Sequence, residues 1–229
     1  MNEPTIYKPS IYNCQTVYNN GGGGGGGGGE PIINPNIKTY LYHEFIPNNG
    51  MLQACLNLEF TIDDELQFSF MLNDNMIASE HSTASDITNF FGNDNNGWSI
   101  SDGYIWDNGI LKVYFGNYWN SHGPLVFTGD LIKDTLYNVK INKEETIING
   151  NSYPSLNYSN ERLAYPRVNS NSPGVKLYEM KIFKSGALKY RYVPAVYNGT
   201  SRGIYECIEG NFYQYEGNRN VVLGPEMPL

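Results

Sequence analysis

The sequence predicts an all-β protein, with a body built as a sandwich of two antiparallel sheets. The chain is 14% aromatic and only 17% charged, and its 19 tyrosines and 25 glycines suit twisted strands and tight turns better than helices. Short segments with apolar residues at alternate positions recur along it, separated by Gly and Asn turn signals. No helical pattern exceeds one or two turns, the best candidate being residues 83–91.

The clearest strand pattern covers residues 65–72. Leu66, Phe68 and Phe70 alternate with more polar residues, so they lie on one face of a half-buried strand. Similar patterns predict strands at 39–46, 52–62, 97–100, 110–115, 125–127, 136–141, 145–148, 176–184, 188–194, 203–208 and 211–215.

Turn signals connect several of these strands into antiparallel hairpins. Asn149-Gly150 is the strongest, because both residues tolerate the positive φ angles of a two-residue hairpin turn. Ser185-Gly186 and Glu209-Gly210 give two further turns near the end of the chain.

Nine consecutive glycines, residues 21–29, divide the chain. Glycine has no side chain to bury and loses the most backbone entropy when it is fixed, so this run predicts a spacer. As a coil it spans roughly 15–18 Å, and fully extended at most about 30 Å. The predicted organisation is an anchoring arm at 1–20, a linker and lead-in at 21–36, and one β-sandwich domain at 37–229.

The arm has apolar or aromatic residues every few positions and contains an Ile-Tyr pair twice. It is too short to form a core, and it is typical of an extended strand that adds to the sheet edge of another protein. Tyr7, Ile11, Tyr12 and Tyr18 are its predicted anchors. The alternative is a disordered tail.

The net charge, the cysteines and the distribution of apolar residues argue against several classes of protein. A formal net charge of −8 opposes binding to a nucleic-acid backbone. Cys14, Cys55 and Cys207 are too few and too scattered for a disulfide framework, so we expect reduced thiols. The first residues have no signal-peptide pattern, and no segment reaches 18 consecutive apolar residues, so we expect synthesis in a cytoplasm and no membrane span.

Two segments near the C-terminus resemble a known signature. Residues 175–194 read VKLYEMKIFKSGALKYRYVP and residues 203–213 read GIYECIEGNFY. Both resemble the C-terminal signature of concanavalin A-like (laminin-G-like) jelly-roll domains found in phage and prophage virion proteins. The resemblance is specific over about these residues and weaker over the body from residue 39 onward.

The resemblance implies a jelly-roll sandwich and a structural role for these strands. It also departs from the family pattern, because Tyr190-Arg191 stands where the family usually has Arg-Asp, which leaves that ion pair in question. From strand alternation we expect five apolar residues to share one face of the paired strands: Tyr178, Ile182, Leu188, Tyr192 and Tyr205.

The richest binding region predicted from the sequence lies between residues 93 and 122, where all three tryptophans occur. Sugars stack their apolar faces on Trp and hydrogen-bond to Asp and Asn, and the same oxygens can hold calcium. The alternative is a set of polar turns with one or two tryptophans in the core. The candidate glycan-binding residues are Trp98, Trp106, Trp119, Asp94, Asn96, Asp102 and Asp107.

Catalytic patterns are weak. A glycoside hydrolase of this fold places carboxylates at alternating strand positions. Glu59 and Asp63 come nearest, but their acidic cluster is typical of a strand-ending turn, and Glu206 and Glu209 fall on opposite faces. His43, His81 and His122 lack metal-ligand spacing, so no metal site and no cofactor is predicted.

These observations predict a non-enzymatic structural or decoration protein of a tailed phage, on the head or as a tail fibre. Residues 1–20 would bind another virion protein, and the sandwich would face outward and contact host-surface glycan. Self-association as a trimer is a further expectation, since three glycine runs can pack as polyproline II-like strands. The alternatives are a free-standing lectin-like module and, remotely, a glycoside hydrolase.

Overall fold

The computed structural model describes residues 18–19, 34–45, 52–61, 63–72, 97–101, 110–116, 126–130, 134–154, 162–164, 167–170, 175–216 and 221–229. Every helix or strand in these ranges is a β-strand, which confirms the all-β prediction. None of the described residues belongs to a helix that is long and apolar enough to cross a membrane.

The strands are short in the first half of the chain and longer in the second. In chain order they are β1 Tyr18–Asn19, β2 Ile37–Tyr40, β3 His43–Phe45, β4 Leu52–Cys55, β5 Glu59–Thr61, β6 Glu65–Leu72, β7 Gly97–Ser101, β8 Ile110–Gly116, β9 Val126–Asp130, β10 Leu136–Ile141, β11 Glu145–Ile148, β12 Asn151–Pro154, β13 Arg162–Ala164, β14 Arg167–Ser170, β15 Val175–Lys184, β16 Ala187–Tyr197, β17 Ser201–Glu206, β18 Asn211–Gln214, β19 Val221–Leu223 and β20 Glu226–Met227.

Thirteen of the described strands form one sheet, whose main path runs β1-β18-β17-β16-β15-β6-β10-β11-β12. Off this path, β2 pairs with β16 and β20, and β3 pairs with β15 and β19. Smaller sheets join β4 to β14, β5 to β13, and β7, β8 and β9 to one another. All of these pairings are antiparallel, as the hairpin signals predict.

The main core is formed by side chains at alternate positions of the strands. In β6 the side chains of Leu66, Phe68 and Phe70 are buried while their neighbours are half-buried, as predicted. The same cluster includes Phe60 from β5 and Tyr192 from β16, so the short β4–β5 segment covers one face of the large sheet. Burying each large apolar side chain contributes about 1.5–3 kcal/mol.

A second, smaller core lies on the opposite face of β16, β17 and β18. It contains Ile37, Val193, Ala195, Tyr205, Cys207 and Phe212. Because these three strands are covered on both faces, β16 carries an unbroken run of buried residues at 192–196 instead of an alternating pattern.

The three predicted turns are present. Asn149 and Gly150 have φ angles of 48° and 84° and connect β11 to β12, and Ser185 and Gly186 have φ angles of 51° and 78° and connect β15 to β16. The Asn149 side chain also accepts the Asn138 backbone N–H and so ties its turn to β10. Gly210 closes the turn after β17 with a φ of 78°.

Two predicted strands are each divided in the structure. The segment predicted as 39–46 forms β2 and β3, separated at residues 41–42, and the segment predicted as 52–62 forms β4 and β5, separated at 56–58. Each half pairs with a different strand, since β2 joins β16 and β3 joins β15. The helix candidate at 83–91 lies outside the described residues.

The prediction that five residues share one face is wrong for three of them. Ile182 and Tyr192 lie in the main core, but Tyr205 lies in the second core because it pairs with Val193 and not with Tyr192. Leu188 pairs with Phe183, because β16 has one extra residue, Lys189, between the partners of Ile182 and Phe183, and so it lies on the face opposite to Ile182.

The fifth residue, Tyr178, is displaced by another irregularity. The register between β15 and β6 shifts between Leu177 and Met180, which are both buried. Tyr178 therefore faces away from the main core and donates its hydroxyl to Met71 Sδ at 3.9 Å.

Substitution of Gly203 tests how closely β17 packs against β18. A Cβ at this position would lie 2.1 Å from the Tyr213 carbonyl oxygen and 2.9 Å from Phe212 Cζ. We expect Gly203→Ala to lower the free energy of unfolding by about 3 kcal/mol, measured by guanidinium chloride denaturation. Gly199→Ala is the matched control: its Cβ meets nothing within 4 Å, so only its φ of 72° opposes it, at about 1 kcal/mol. Equal losses in the two variants would contradict this packing.

Candidate functional site

The predicted glycan-binding residues fall mostly beyond the part of the chain that the structure describes. Trp98 lies in β7, where its backbone pairs with Phe115 of β8. The other six candidates lie outside the described residues: Trp106, Trp119, Asp94, Asn96, Asp102 and Asp107. Their grouping into one site stays a prediction.

The end of the predicted arm forms part of the large sheet. Tyr18 pairs with Phe212 and Asn19 with Asn211, so β1 covers one edge of β18. The next strand along the chain, β2, belongs to the same sheet. Residues 20–36, which include the glycine run, therefore connect two strands of one sheet. The other predicted anchors, Tyr7, Ile11 and Tyr12, lie outside the described residues.

A polar cavity of about 420 Å³ lies where three turns meet at one end of the large sheet. The turns connect β5 to β6, β10 to β11, and β15 to β16. Strand pairing brings the three turns together, because β6 pairs with both β10 and β15. The lining residues are Asp63, Glu65, Lys140, Asn142, Lys143, Glu144, Phe183 and Gly186.

Ion pairs organise the walls of this cavity. Lys140 Nζ lies 2.8 Å from Glu65 Oε2, and Lys143 Nζ lies 2.8 Å from Asp63 Oδ1. These groups are partly or largely solvent-exposed, so each pair contributes about 1 kcal/mol or less to stability. Phe183, which is half-buried, supplies an aromatic surface beside them.

The cavity favours binding over proton transfer. Burial acts to raise the pKa of Glu65, but hydrogen bonds from Lys140 and Gln67 outweigh it, and the net pKa lies below the ordinary glutamate value. A general acid needs the opposite shift, towards neutral pH. An ionised carboxylate beside ammonium, amide and aromatic groups is suited to hydrogen bonding and stacking with a polar ligand.

The carboxylates considered from the sequence as catalytic candidates make structural contacts. Asp63 pairs with Lys143 in the turn after β5, so the acidic cluster does end a strand, as predicted. The neighbouring Asp64 is buried, accepts the Thr61 backbone N–H at 2.8 Å and pairs with Lys184 at 2.8 Å. These contacts close the turn between β5 and β6.

Glu206 holds the turn after β17. Its fully buried carboxylate accepts backbone N–H groups from Ile208 at 2.9 Å, Glu209 at 2.6 Å and Arg191 at 3.3 Å. Burial raises the pKa of Glu206, and these three donors partly oppose that rise. The side chain thus replaces backbone partners that the turn cannot supply.

Arg191 stands at the position where the resemblance leaves an ion pair in question. Its Nε donates to Glu179 Oε1, and Glu179 also pairs with Lys181 at 2.5 Å. An ion pair across β15 and β16 is therefore present, with a carboxylate from the facing strand.

His43 is a strand residue, as expected, and it is buried in β3. Its Nδ1 lies 2.9 Å from the Tyr215 hydroxyl, and its Nε2 has no hydrogen-bond partner within the described ranges. Burial, with a smaller effect from the charge of Arg202, lowers the pKa of His43 from 6.5 to about 3. The imidazole is neutral at physiological pH. His81 and His122 lie outside the described residues.

The expectation of three reduced thiols is wrong for Cys55, which is disulfide-bonded. Sequence spacing gave no sign of this, because the pairing depends on which strands are neighbours. Cys207 is free and buried, and burial raises the pKa of its thiol to about 12, so it is an unreactive core residue. Cys14 lies outside the described residues.

No group of three or more His, Cys, Asp or Glu side chains in the described ranges is placed to hold a metal ion. Comparisons with known proteins find no matching family model, no similar curated protein and no similar solved structure. The resemblance of residues 175–194 and 203–213 to concanavalin A-like domains therefore stays a prediction.

Sequence reasoning missed the cavity. Its lining residues come from three turns that are far apart in the chain, and no local spacing connects them. The one available signal was the charged residues beside each turn, such as Asp63 before β6 and Lys143-Glu144 before β11.

The buried His43 predicts a pH dependence of stability. Its folded pKa is lower than its unfolded value, so below pH 6.5 the unfolded chain binds a proton that the folded chain does not. The contribution of neutral His43 to the free energy of unfolding is fully present above pH 6.5. It falls as the pH drops towards about 3, by up to about 1.4 kcal/mol per pH unit.

The measurement is urea unfolding of the wild type and His43→Gln at several pH values. We expect the variant to show a shallower slope between pH 6 and pH 4, estimated from the linkage above as a difference approaching about 1 kcal/mol per unit. At pH 8 both side chains are uncharged, so that point provides the baseline. Parallel curves would show that His43 titrates normally in the folded protein.

Proposed function

We propose that this chain is a non-enzymatic structural or decoration protein of a tailed-phage virion. Its N-terminal residues attach it to the particle, and its β body, which we propose to be a concanavalin A-like jelly-roll sandwich, faces outward. Attachment to another virion protein and self-association as a trimer belong to the same proposal.

The observation that carries the proposal is the strand at the end of the arm. β1 is extended and pairs with β18 at a sheet edge. Extended segments bind by adding strands to sheet edges, where the backbone supplies affinity and alternate side chains supply specificity. The residues that precede β1 in the sequence include Tyr7, Ile11 and Tyr12, which are residue types suited to such a strand.

The position of the resemblance segments supports the proposed fold. They form β15, β16, β17 and β18, which are consecutive neighbours in the large sheet. The resemblance implies that these strands close the sandwich, and burial of β16, β17 and β18 on both faces is consistent with that role.

Several buried or partly buried ionisable groups support a structural role. Glu206 and Asp64 are occupied by hydrogen bonds within turns, and His43 is held neutral against Tyr215. Groups with these partners position backbone and strands, and proton exchange with a substrate would break those contacts.

Removal of residues 1–13 tests the anchor without disturbing β1. We expect this truncation to lower the particle-bound fraction at least about tenfold on a density gradient, because each lost anchor costs more than about 1 kcal/mol. A double variant, Tyr7→Ser with Tyr12→Ser, should act in the same direction.

Truncation of residues 1–29 is the comparison, since it also removes β1 and uncovers β18. Loss in both truncations supports an anchor before residue 14. Loss only in the longer truncation would place attachment at the β18 edge or in the glycine run. Full binding by both would overturn the proposed attachment.

A second candidate function is glycan binding, which the cavity at the three turns favours. It combines an aromatic side chain with carboxylate, amide and ammonium groups, a combination suited to sugars. The predicted tryptophan region is the competing location.

Glycan binding predicts saturable affinity for a host-surface polysaccharide in calorimetry. We expect Phe183→Ala to weaken it about threefold to tenfold if the cavity binds the glycan, and Trp98→Ala to do so if the tryptophan region does. Leu136→Ala is a matched control, because Leu136 is 40% exposed and lies at the opposite end of β10 from the cavity. Absence of saturable binding by the wild type would contradict this candidate.

A further inference from the structure

Two hairpin turns contain the same dipeptide with similar φ angles. Asn149-Gly150 connects β11 to β12, with φ angles of 48° and 84°, and Asn198-Gly199 connects β16 to β17, with φ angles of 49° and 72°. All four residues are exposed. Asn-Gly is chemically labile, because glycine has no Cβ to shield its backbone nitrogen from the preceding side-chain amide and permits the backbone rotations that bring the two together. The two turns are therefore candidate sites of the same spontaneous reaction.

The Asn149 side chain is held by β10 at both of its polar atoms. Its Oδ1 accepts the Asn138 backbone N–H at 2.8 Å, and its Nδ2 donates to the Leu136 carbonyl oxygen at 3.3 Å. The Asn149 backbone N–H also donates to the Asn138 carbonyl oxygen, at 3.0 Å. Both side-chain hydrogen bonds must break before the amide can turn towards the Gly150 nitrogen, so β10 protects this turn.

The Asn198 side chain lacks this restraint. Its backbone N–H donates to the Asn36 carbonyl oxygen at 2.9 Å, and the Thr200 N–H closes the turn on the Tyr197 carbonyl oxygen at 3.2 Å. Among the residues that the structure describes, none makes a hydrogen bond to the side-chain amide of Asn198. This amide can therefore rotate in solvent beside the Gly199 nitrogen without losing a protein contact.

We infer that Asn198 is a site of spontaneous deamidation in the folded protein and that Asn149, in the corresponding turn, is protected. The two hydrogen bonds from the Asn149 amide to β10 distinguish the two sites. The turn between β16 and β17 has no third strand that holds Asn198 in the same way. The inference concerns the isolated chain and does not depend on the proposed function.

The reaction is an intramolecular acyl transfer followed by hydrolysis, with water as the co-reactant. The Gly199 backbone nitrogen loses its proton to hydroxide and attacks Asn198 Cγ. The bond between Cγ and Nδ2 then breaks, and Nδ2 takes up a proton and leaves as ammonia. Water opens the resulting cyclic imide at one of its two carbonyl carbons. Opening at Cγ gives aspartate, and opening at the backbone carbonyl carbon gives isoaspartate, so one amide and one water become one carboxylic acid and one ammonia.

Isoaspartate would change this turn more than aspartate would. It routes the chain through Cγ and so adds one carbon to the backbone within the turn. The hydrogen bonds from the Asn198 N–H to Asn36 and from the Thr200 N–H to Tyr197 would then no longer fit. Asn36 directly precedes β2, which pairs with β16. Conversion would therefore loosen the start of the β2–β16 pairing.

The full-length chain, incubated at mildly alkaline pH and digested with trypsin at intervals, provides the test. Asn198 falls in the peptide 192–202 and Asn149 in the peptide 144–162, so mass spectrometry follows each replacement of NH2 by OH separately. Fragmentation assigns the change within the longer peptide. We expect Asn198 to convert at least about tenfold faster than Asn149, because two hydrogen bonds hold the Asn149 amide.

The same incubation in guanidinium chloride is the control for local sequence. The two sites should then convert at rates within about threefold of each other, since no fold holds either side chain. Equal rates in the folded chain, or faster conversion of Asn149, would overturn the inference. So would an Asn198 that stays intact in the folded chain while it converts in guanidinium chloride.

Asn198→Gln removes the site, because its side chain is one carbon longer and attack would have to form a larger ring. The isoaspartate form of the wild type, separated by anion exchange, should melt lower than the unmodified chain by on the order of 4 °C, since two turn hydrogen bonds are lost. Asn198→Gln, incubated in the same way, should keep the peptide 192–202 unmodified. If this variant fails to fold, the wild-type comparison of folded and denatured chains still decides the inference.

Discussion

The pairing of the two long strands β15 and β16 is the constraint on which the rest of the described structure depends. β15 joins β16 along its C-terminal half and β3 along its N-terminal half, and it lies against β6 on its other side. β16 joins β15 first and then β2, with β17 on its other side. Every other strand of the large sheet is therefore connected to β15 or β16, either by direct pairing or through a series of paired strands. Without them, short strands such as β2 and β3 would leave buried backbone N–H and C=O groups without partners, which costs about as much as the lost hydrogen bonds.

Burial on both faces of β16, β17 and β18 explains the buried polar groups. A turn between two covered strands cannot expose its N–H groups to water, so Glu206 accepts them with a buried carboxylate. The cost of burying that charge is visible in the raised pKa of Glu206. His43 is also buried, and it avoids the cost of a buried charge because it remains neutral beside Tyr215. Both groups lose their hydration on burial, and the hydrogen bonds that they make instead hold the surrounding structure in a defined position.

The functional proposals meet at the edges and ends of this sheet. At one edge, β1 pairs with β18, so the end of the predicted arm belongs to the sheet. At one end, three turns enclose a cavity with Phe183 among paired charges. The sheet interior supplies rigidity to both places, because its side chains interlock on two faces. The proposed attachment and the proposed ligand contact would therefore lie at different places on one sheet.

Local sequence determined the strand class and the turns. The alternation of Leu66, Phe68 and Phe70 and the turn at Asn149-Gly150 depend on nearest neighbours, so they could be predicted from the residues alone. Tertiary structure decided which face Tyr178 and Tyr205 occupy, since register shifts in β15 and the position of each pairing strand reverse the alternation. It also decided that Cys55 is in a disulfide and that Asp63, Lys140 and Phe183 share a cavity. Those relations join residues far apart in the chain, and sequence spacing carries no information about distances that only strand pairing sets.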